Sequence, residues 1–143
     1  MTKRLNIALL PGDGIGPEVM AVAEQALTLL IDRFQLPLSC HSFPWPSHAW
    51  HQQHGQMMPD DGVDQLRAFD AILLGALGDP GPLDDPDRFV LPDSISLSPL
   101  LALRKQLDLW ACERPARWQP GAPQYLSDPR ALSLIHISEP TRP

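Results

Sequence analysis

The chain has 143 residues, enough for one domain with a hydrophobic core but too few for two comfortable ones. Its formal net charge of -6 argues against nucleic acid or an anionic membrane as the main partner, because affinity for phosphate-rich surfaces comes from clustered Lys and Arg. The longest apolar runs are a handful of residues, far short of the roughly 20 needed to span a bilayer.

Cellular location and redox state follow from a few residues. Lys3 and Arg4 precede an apolar run that Pro11 ends too early for a secretion signal, so we predict a cytoplasmic protein. Cys40 and Cys112 form neither a metal-binding nor a disulfide pattern. We therefore expect both to be reduced, partly buried thiols.

The chain is organised around residues 6–19, which read NIALLPGDGIGPEV. The apolar run at 7–10 predicts a strand, the three glycines a tight loop, and Pro17 the first position of a helix, where its missing N–H is not needed. Since glycines carry no side chains, this loop can bring bare backbone close to a cofactor or an anion. The spacing lacks the third glycine of the dinucleotide fingerprint G-x-G-x-x-G, so an ordinary structural turn is the alternative.

The next segments predict a helix, an edge strand and a connection. Apolar periodicity indicates a helix over 17–34. Its predicted buried face consists of Val19, Val22, Ala23, Ala26, Leu27 and Leu30. Residues 36–43 predict a strand whose early proline favours a sheet edge. A polar connection at 44–61 and a short helix at 63–69 follow.

The run AILLGALG at 71–78 predicts a central strand covered on both faces. The alternation of strands and helices predicts an α/β fold with a parallel sheet. If the first and third strands are parallel, the turn at Gly78 leaves the sheet at the same edge as the glycine loop, where ligands usually bind. Residues 83–98 predict a long loop, before a helix at 100–107 and a strand at 109–115.

Two clusters have residue types that can bind metals, but neither is a strong candidate. His48, His51 and His54 have helical spacing, yet the prolines and glycine around them predict a short exposed turn without a fourth ligand. A second cluster consists of Asp84, Asp85 and Asp87. It is best interpreted as a solvated acidic turn in a loop.

Three blocks resemble one enzyme family. In order and spacing, LLPGDGIGPEV, LLGALGDP and LLALRKQLDLWACERPAR are similar to the isocitrate/3-isopropylmalate dehydrogenases, which are NAD(P)-dependent β-decarboxylating enzymes. The resemblance covers residues 3–129. HGQMMPDD and PDSISL resemble the tartrate/D-malate branch, whereas LRKQLDL is equally typical of 3-isopropylmalate enzymes. The resemblance implies a three-layer α/β/α fold, with residues 1–130 as the N-terminal part of its large domain.

The resemblance also implies a reaction and a substrate. The family oxidises a 2-hydroxy dicarboxylate at C2 with Mg²⁺ or Mn²⁺, transfers hydride to NAD or NADP, and releases the β-carboxylate; the full-length enzyme is expected to be a homodimer. Arg104 and Arg114 match the first two substrate arginines. A guanidinium offers a planar fork to a carboxylate and stays charged near neutral pH. The alternative for each is a surface ion pair.

Four residues match family positions beside the cofactor. They are Ile15 in the glycine loop and Gly78, Asp79 and Pro80 in the LGDP turn. The family fold is not the classical dinucleotide-binding one, which explains why the glycine fingerprint fails.

One departure from the family pattern concerns ACERP, where the family usually has Asn-Leu before Arg-Pro. Here Cys112 and Glu113 stand at those positions. A carboxylate beside Arg114 should weaken substrate binding if both face one cleft. It changes little if strand alternation sends Glu113 to the opposite face.

The catalytic residues of the family are expected elsewhere. Its third substrate arginine, catalytic tyrosine, catalytic lysine and metal-binding aspartates belong to later regions, and Tyr125 precedes the tyrosine position. Residues 132–143, LSLIHISEPTRP, correspond one for one to the in-frame translation of a transposase-type sequencing adapter. We therefore predict a non-native tail at 131–143, in which His136 has no function, and a truncated copy of a longer gene.

Three functional hypotheses remain. In the first, the parent gene encodes a β-decarboxylating 2-hydroxy-acid dehydrogenase. In the second, the chain is a small nucleotide- or anion-binding module that works as it stands through the PGDGIG loop. In the third, the 143-residue product has no activity and folds poorly, because it exposes apolar strand edges that the missing part of the sheet and the dimer partner would cover.

Overall fold

The computed structural model describes residues 3–78, 89–115 and 133–137. The chain divides into two compact units, Met1–Ala102 and Leu103–Pro143. The helices and strands, in chain order, are β1 (Leu5–Gly12), α1 (Gly16–Phe34), β2 (Leu38–Ser42), α2 (His48–His54), α3 (Gly62–Leu66), β3 (Ala71–Ala76), α4 (Asp93–Ser96), α5 (Ser98–Gln106), β4 (Ala111–Pro115) and β5 (Ser133–Ile137).

The first unit contains a parallel sheet with the strand order β2-β1-β3. This confirms the predicted α/β class and the edge position of β2. The prediction that β3 is central is wrong for the described sheet, because β1 is its middle strand and β3 pairs on one side only.

The middle strand β1 is buried on both faces. Ala8, Leu9 and Leu10 are 0–1% exposed although they are consecutive, and consecutive side chains in a strand point to opposite faces. α1 packs against both β1 and β3. The uninterrupted apolar run in the sequence is therefore the pattern of a strand covered on both sides.

α1 presents a different face to the sheet from the one predicted. Its inward side consists of Gly16, Met20, Ala23, Leu27 and Ile31. Only Ala23 and Leu27 belong to the predicted set, whereas Val19 and Val22 are 54% and 63% exposed. Two apolar stripes with helical spacing are interleaved in this sequence, and the stripe that starts at Gly16 is the one against the sheet.

The connection predicted at 44–61 contains a helix, α2, that the sequence prediction missed. The Ser47 hydroxyl accepts a hydrogen bond from the backbone N–H of Trp50 (3.1 Å), and Gly55 ends the helix with a left-handed φ of 74°. Both are standard end signals that the histidines and prolines of this segment obscured. The short helix α4 likewise lies inside the predicted 83–98 loop.

The second unit contains an antiparallel pair of strands. β4 pairs with β5, and the register places Cys112 opposite His136. Residues predicted to be a non-native tail thus supply β5. Their origin from an adapter stays a prediction, since strand pairing does not test it.

Two features of the described residues bear on location and redox state. Cys40 and Cys112 are free and half-buried, as expected from their spacing. No helix in the described ranges combines the length and the apolar character required to cross a bilayer.

Asp70 links β3 to β1. Its carboxylate accepts hydrogen bonds from the Lys3 ammonium group (2.6 Å) and from the backbone N–H of Asn6 (2.9 Å). Its own N–H donates to the carbonyl of Asn6. The Lys3 hydrogen bond first, and the Asn6 N–H second, lower the pKa of Asp70.

We expect Asp70→Asn to destabilise the chain at neutral pH by an amount that disappears in acid. A lowered pKa in the folded state gives stability above the ordinary aspartate pKa of about 3.9, which is lost as the pH falls through the folded value. Urea unfolding of both proteins across this range measures the difference. Asp32→Asn, at an exposed position on α1, is the control. A gap that persists unchanged at the acid end would contradict this account.

Cys40 on β2 should react slowly with alkylating agents. Partial burial, and then the negative charge of Glu24 on α1, raise the pKa of its thiol. Because the thiolate is the reactive form, we expect Glu24→Gln to accelerate iodoacetamide labelling at about pH 8. Cys112→Ser in every protein leaves one thiol to follow. Glu18→Gln, in the first turn of the same helix, should leave the rate unchanged; a faster rate there as well would refute the Glu24 effect.

Candidate functional site at the carboxyl edge of the parallel sheet

The glycine loop, residues 12–16, joins β1 to α1 in a tight turn. Gly12 and Gly14 have φ values of 79° and 58°, in the left-handed region. The N–H of Asp13 donates to the carbonyl of Ala76 (2.7 Å), and the N–H of Gly16 donates to the carbonyl of Asp13 (2.8 Å). The loop is therefore fixed to the last residue of β3.

Two of the glycines allow the backbones of the loop and of β3 to touch. A Cβ atom on Gly12 would lie 1.8 Å from the carbonyl oxygen of Ala76, and one on Gly16 would lie 2.1 Å from that of Pro11. A Cβ atom on Gly75 of β3 would lie 2.3 Å from the same carbonyl oxygen of Pro11. Glycine is therefore needed in this loop because the loop backbone packs directly against the backbone of the strands.

The outward side of the same edge is open. Ile15 is 68% exposed at the loop tip. Gly78 follows β3 with a φ of 143°, and a Cβ atom there would meet nothing within 4 Å. Because β1 and β3 are parallel, both turns leave the sheet at its carboxyl edge, as predicted. Asp79 and Pro80 lie outside the described residues.

Asp13 and His48 form a buried pair that the sequence interpretation missed. Asp13 is 6% exposed and His48 is 2% exposed. The Asp13 carboxylate lies 2.8 Å from Nδ1 of His48 and accepts the backbone N–H of His48 at 2.8 Å. The N–H of Leu91 donates to Nε2 of the same ring at 3.3 Å. The available signal was an aspartate inside a glycine loop, together with a histidine after a helix-capping serine.

The other two histidines of α2 have separate environments. His54 stacks on Trp50 with ring centroids 3.8 Å apart. His51 lies beside Phe89, at 6.2 Å between centroids. Within residues 3–78, 89–115 and 133–137, no three His, Cys, Asp or Glu side chains are arranged to hold a metal ion. Asp84, Asp85 and Asp87 are outside these ranges.

The two predicted substrate arginines belong to the second unit. Arg104 lies in the last turn of α5, where its side chain is exposed and its carbonyl accepts the N–H of Leu109 (2.9 Å). Arg114 lies in β4 opposite Leu134, and Glu113 lies opposite Ile135. A cleft shared by both arginines and the glycine loop stays a prediction.

Comparison with known proteins gives a family match over most of the chain. A model described as isocitrate/isopropylmalate dehydrogenase matches residues 6–135. A probable tartrate dehydrogenase/decarboxylase of Bacillus subtilis (strain 168) is 38% identical over 96% of this chain, and a decarboxylating D-malate dehydrogenase of Escherichia coli (strain K12) is 40% identical over 86%. The chain spans 37% and 32% of the lengths of these two relatives.

A solved structure supports the fold. The TT0538 protein of Thermus thermophilus superposes with a TM-score of 0.52 at 25% identity, covering 85% of this chain and 22% of that one.

Proposed function

The chain belongs to the isocitrate/isopropylmalate dehydrogenase family, and we propose that it is part of a longer β-decarboxylating dehydrogenase that acts on a 2-hydroxy dicarboxylate. Substrates of the tartrate/D-malate or 3-isopropylmalate type fit this proposal. The observation that carries it is the family match over residues 6–135, which includes both the glycine loop and the Arg104 segment.

Arg104 and Arg114 would bind the carboxylates of this substrate. A guanidinium pairs with a carboxylate through two parallel N–H donors and keeps its charge throughout the working pH range. The exposure of Arg104 supports this role, because an exposed side chain can meet a ligand without first breaking the core. The alternative, a surface ion pair, predicts unchanged substrate kinetics when Arg104 is replaced.

The carboxyl edge of the sheet fits a nicotinamide cofactor, NAD or NADP. Ile15 offers an exposed apolar side chain, and the bare backbone at Gly78 has open space where a side chain would stand. A planar ring could pack against the first and approach the second closely. When bound, the cofactor supplies the hydride acceptor, while Ile15 and Gly78 would orient it. Asp79 and Pro80, which match family positions beside the cofactor, would bind it as well.

The described residues do not fit the divalent metal of the family. A Mg²⁺ or Mn²⁺ ion takes several oxygen ligands, and the described part of the chain brings no three acidic, histidine or cysteine side chains together. We therefore assign no metal-dependent step, no catalytic acid and no catalytic base to these residues.

The experiment is to resequence the locus and express the longest reading frame. The recovered enzyme should oxidise at least one of D-malate, tartrate, isocitrate or 3-isopropylmalate with NAD or NADP, and chelation by EDTA should abolish turnover. We expect the 143-residue chain alone to show no turnover. Turnover by that chain would overturn its proposed inactivity, and a frame ending soon after Arg130 would count against the longer enzyme.

The alternative is a small nucleotide- or anion-binding module, which the open edge beside the glycine loop supports. Titration of the purified chain with NAD and with ADP separates the two proposals. Saturable binding with a micromolar Kd and no turnover would favour the module. Binding too weak to saturate favours the longer dehydrogenase, in which other segments complete the cofactor site.

A further inference from the structure

His48 connects two segments that are far apart in the sequence. It is the first residue of α2, and both of its ring nitrogens have hydrogen-bond partners. Nδ1 meets the carboxylate of Asp13 in the glycine loop, and Nε2 meets the N–H of Leu91, which precedes α4. The Phe89 ring and the imidazole lie in a T-shaped arrangement, with centroids 6.2 Å apart and planes at 84°.

These contacts define where the ring proton lies. A backbone N–H can only donate, so Nε2 must present its lone pair to Leu91. The ring proton is then on Nδ1, from which it donates to the Asp13 carboxylate at 2.8 Å. The geometry thus assigns the Nδ1–H tautomer to His48, in which Nδ1 donates to the Asp13 carboxylate and Nε2 accepts from Leu91.

We propose that His48 is a positioning residue: in this tautomer it locks the glycine loop to the 89–91 segment. Asp13 accepts both the ring N–H and the backbone N–H of His48, so the loop that carries Ile15 is tied to the start of α2. The Leu91 bond ties the same ring to the segment that enters α4. The two segments consequently hold their positions together rather than independently.

This inference does not depend on the dehydrogenase activity, because every atom in it belongs to described residues of this chain. It also differs from a metal-binding role, since neither ring nitrogen is free to coordinate a cation. The competing explanation is a buried ring that only fills space. In that case, any side chain of similar size would hold the glycine loop and the 89–91 segment as well as His48 does.

The tautomer can be tested directly in the wild-type 143-residue chain. In ¹⁵N-labelled protein, long-range ¹H–¹⁵N correlations should show a protonated Nδ1 and an unprotonated Nε2 for His48 near neutral pH. The opposite tautomer, or a doubly protonated ring, would overturn the proposal. This measurement requires no variant and is therefore decisive even if substitutions at this site prevent folding.

Two conservative variants separate the two contacts of the His48 ring, one with Asp13 and one with Leu91. The amide nitrogen of Asn stands where Nδ1 stands, so His48→Asn keeps a donor for Asp13 and loses the acceptor for Leu91. The side-chain oxygen of Gln reaches the Nε2 position, so His48→Gln does the reverse. His48→Ala loses both contacts and sets the baseline.

Amide hydrogen exchange reports on each of these two contacts separately. The reporters are the N–H groups of Leu91 for one segment and of Asp13 and Gly16 for the loop. We expect His48→Asn to accelerate exchange at Leu91 by roughly tenfold while the loop amides keep wild-type rates, and His48→Gln to show the opposite pattern. If both variants match His48→Ala at every reporter, His48 only fills space and the proposal fails.

Discussion

We expect Gly12→Ala to lower the free energy of unfolding by more than about 3 kcal/mol, or to prevent folding. Two costs add at this position. A left-handed φ of 79° costs a residue with a Cβ atom about 1–2 kcal/mol. The new Cβ atom would also lie 1.8 Å from the backbone oxygen of Ala76, so β1 and β3 would have to separate.

Gly55→Ala is the matched control for this prediction. Gly55 has nearly the same φ, 74°, but a Cβ atom there meets nothing within 4 Å. It should therefore cost only about 1–2 kcal/mol, the conformational part alone. Urea denaturation followed by circular dichroism compares the two. If both variants lose the same free energy of unfolding, the close approach of the two backbones does not explain why Gly12 is needed.

In the complete enzyme, Arg104→Ala should lower kcat/KM for the 2-hydroxy dicarboxylate by roughly 30-fold to 5,000-fold. This range corresponds to about 2–5 kcal/mol, the cost of leaving a buried charged partner unpaired. Arg104→Lys should recover only part of the loss, because an ammonium group cannot form the bidentate pair. Steady-state kinetics with the best substrate of the recovered frame measures both.

Lys105→Ala is the control for Arg104. It removes a positive charge from the adjacent exposed position of α5 and so reproduces any loss of long-range attraction. We expect its kcat/KM to stay within about threefold of wild type, as a nonspecific charge effect at moderate salt would. If both variants fall equally, Arg104 does not bind substrate specifically.

The first four strands and the first helix could be predicted because glycine and proline mark their ends, whereas β5 lies in the segment that was predicted to be a non-native tail. The buried side of α1 could not be predicted from periodicity, since two apolar stripes compete. The deciding contact is Gly16, whose missing side chain lets the helix start against Pro11 and β3. Gly16 in the first turn, followed by Met20 and Leu27 at helical spacing, marks the buried face of α1, but a prediction based only on the number of apolar residues does not use the glycine.

The site was predictable only in part. The glycine loop and Gly78 share an edge because parallel strands end together, which follows from topology alone. The Asp13–His48 pair depends on where α2 and the 89–91 segment lie, and no local spacing encodes that. Equally, the relation of Arg104 and Arg114 to the loop rests on family resemblance rather than on any pattern within the chain.

The outward side of α1 has a practical consequence. Val19, Val22 and Leu29 are 54%, 63% and 70% exposed on the side of α1 that faces away from the sheet, where they form an apolar surface patch. Concentrated samples of the 143-residue chain should therefore aggregate through this side of the helix. Replacing Val22 and Leu29 with lysine should keep such samples clear without loosening the sheet, since water already surrounds both side chains.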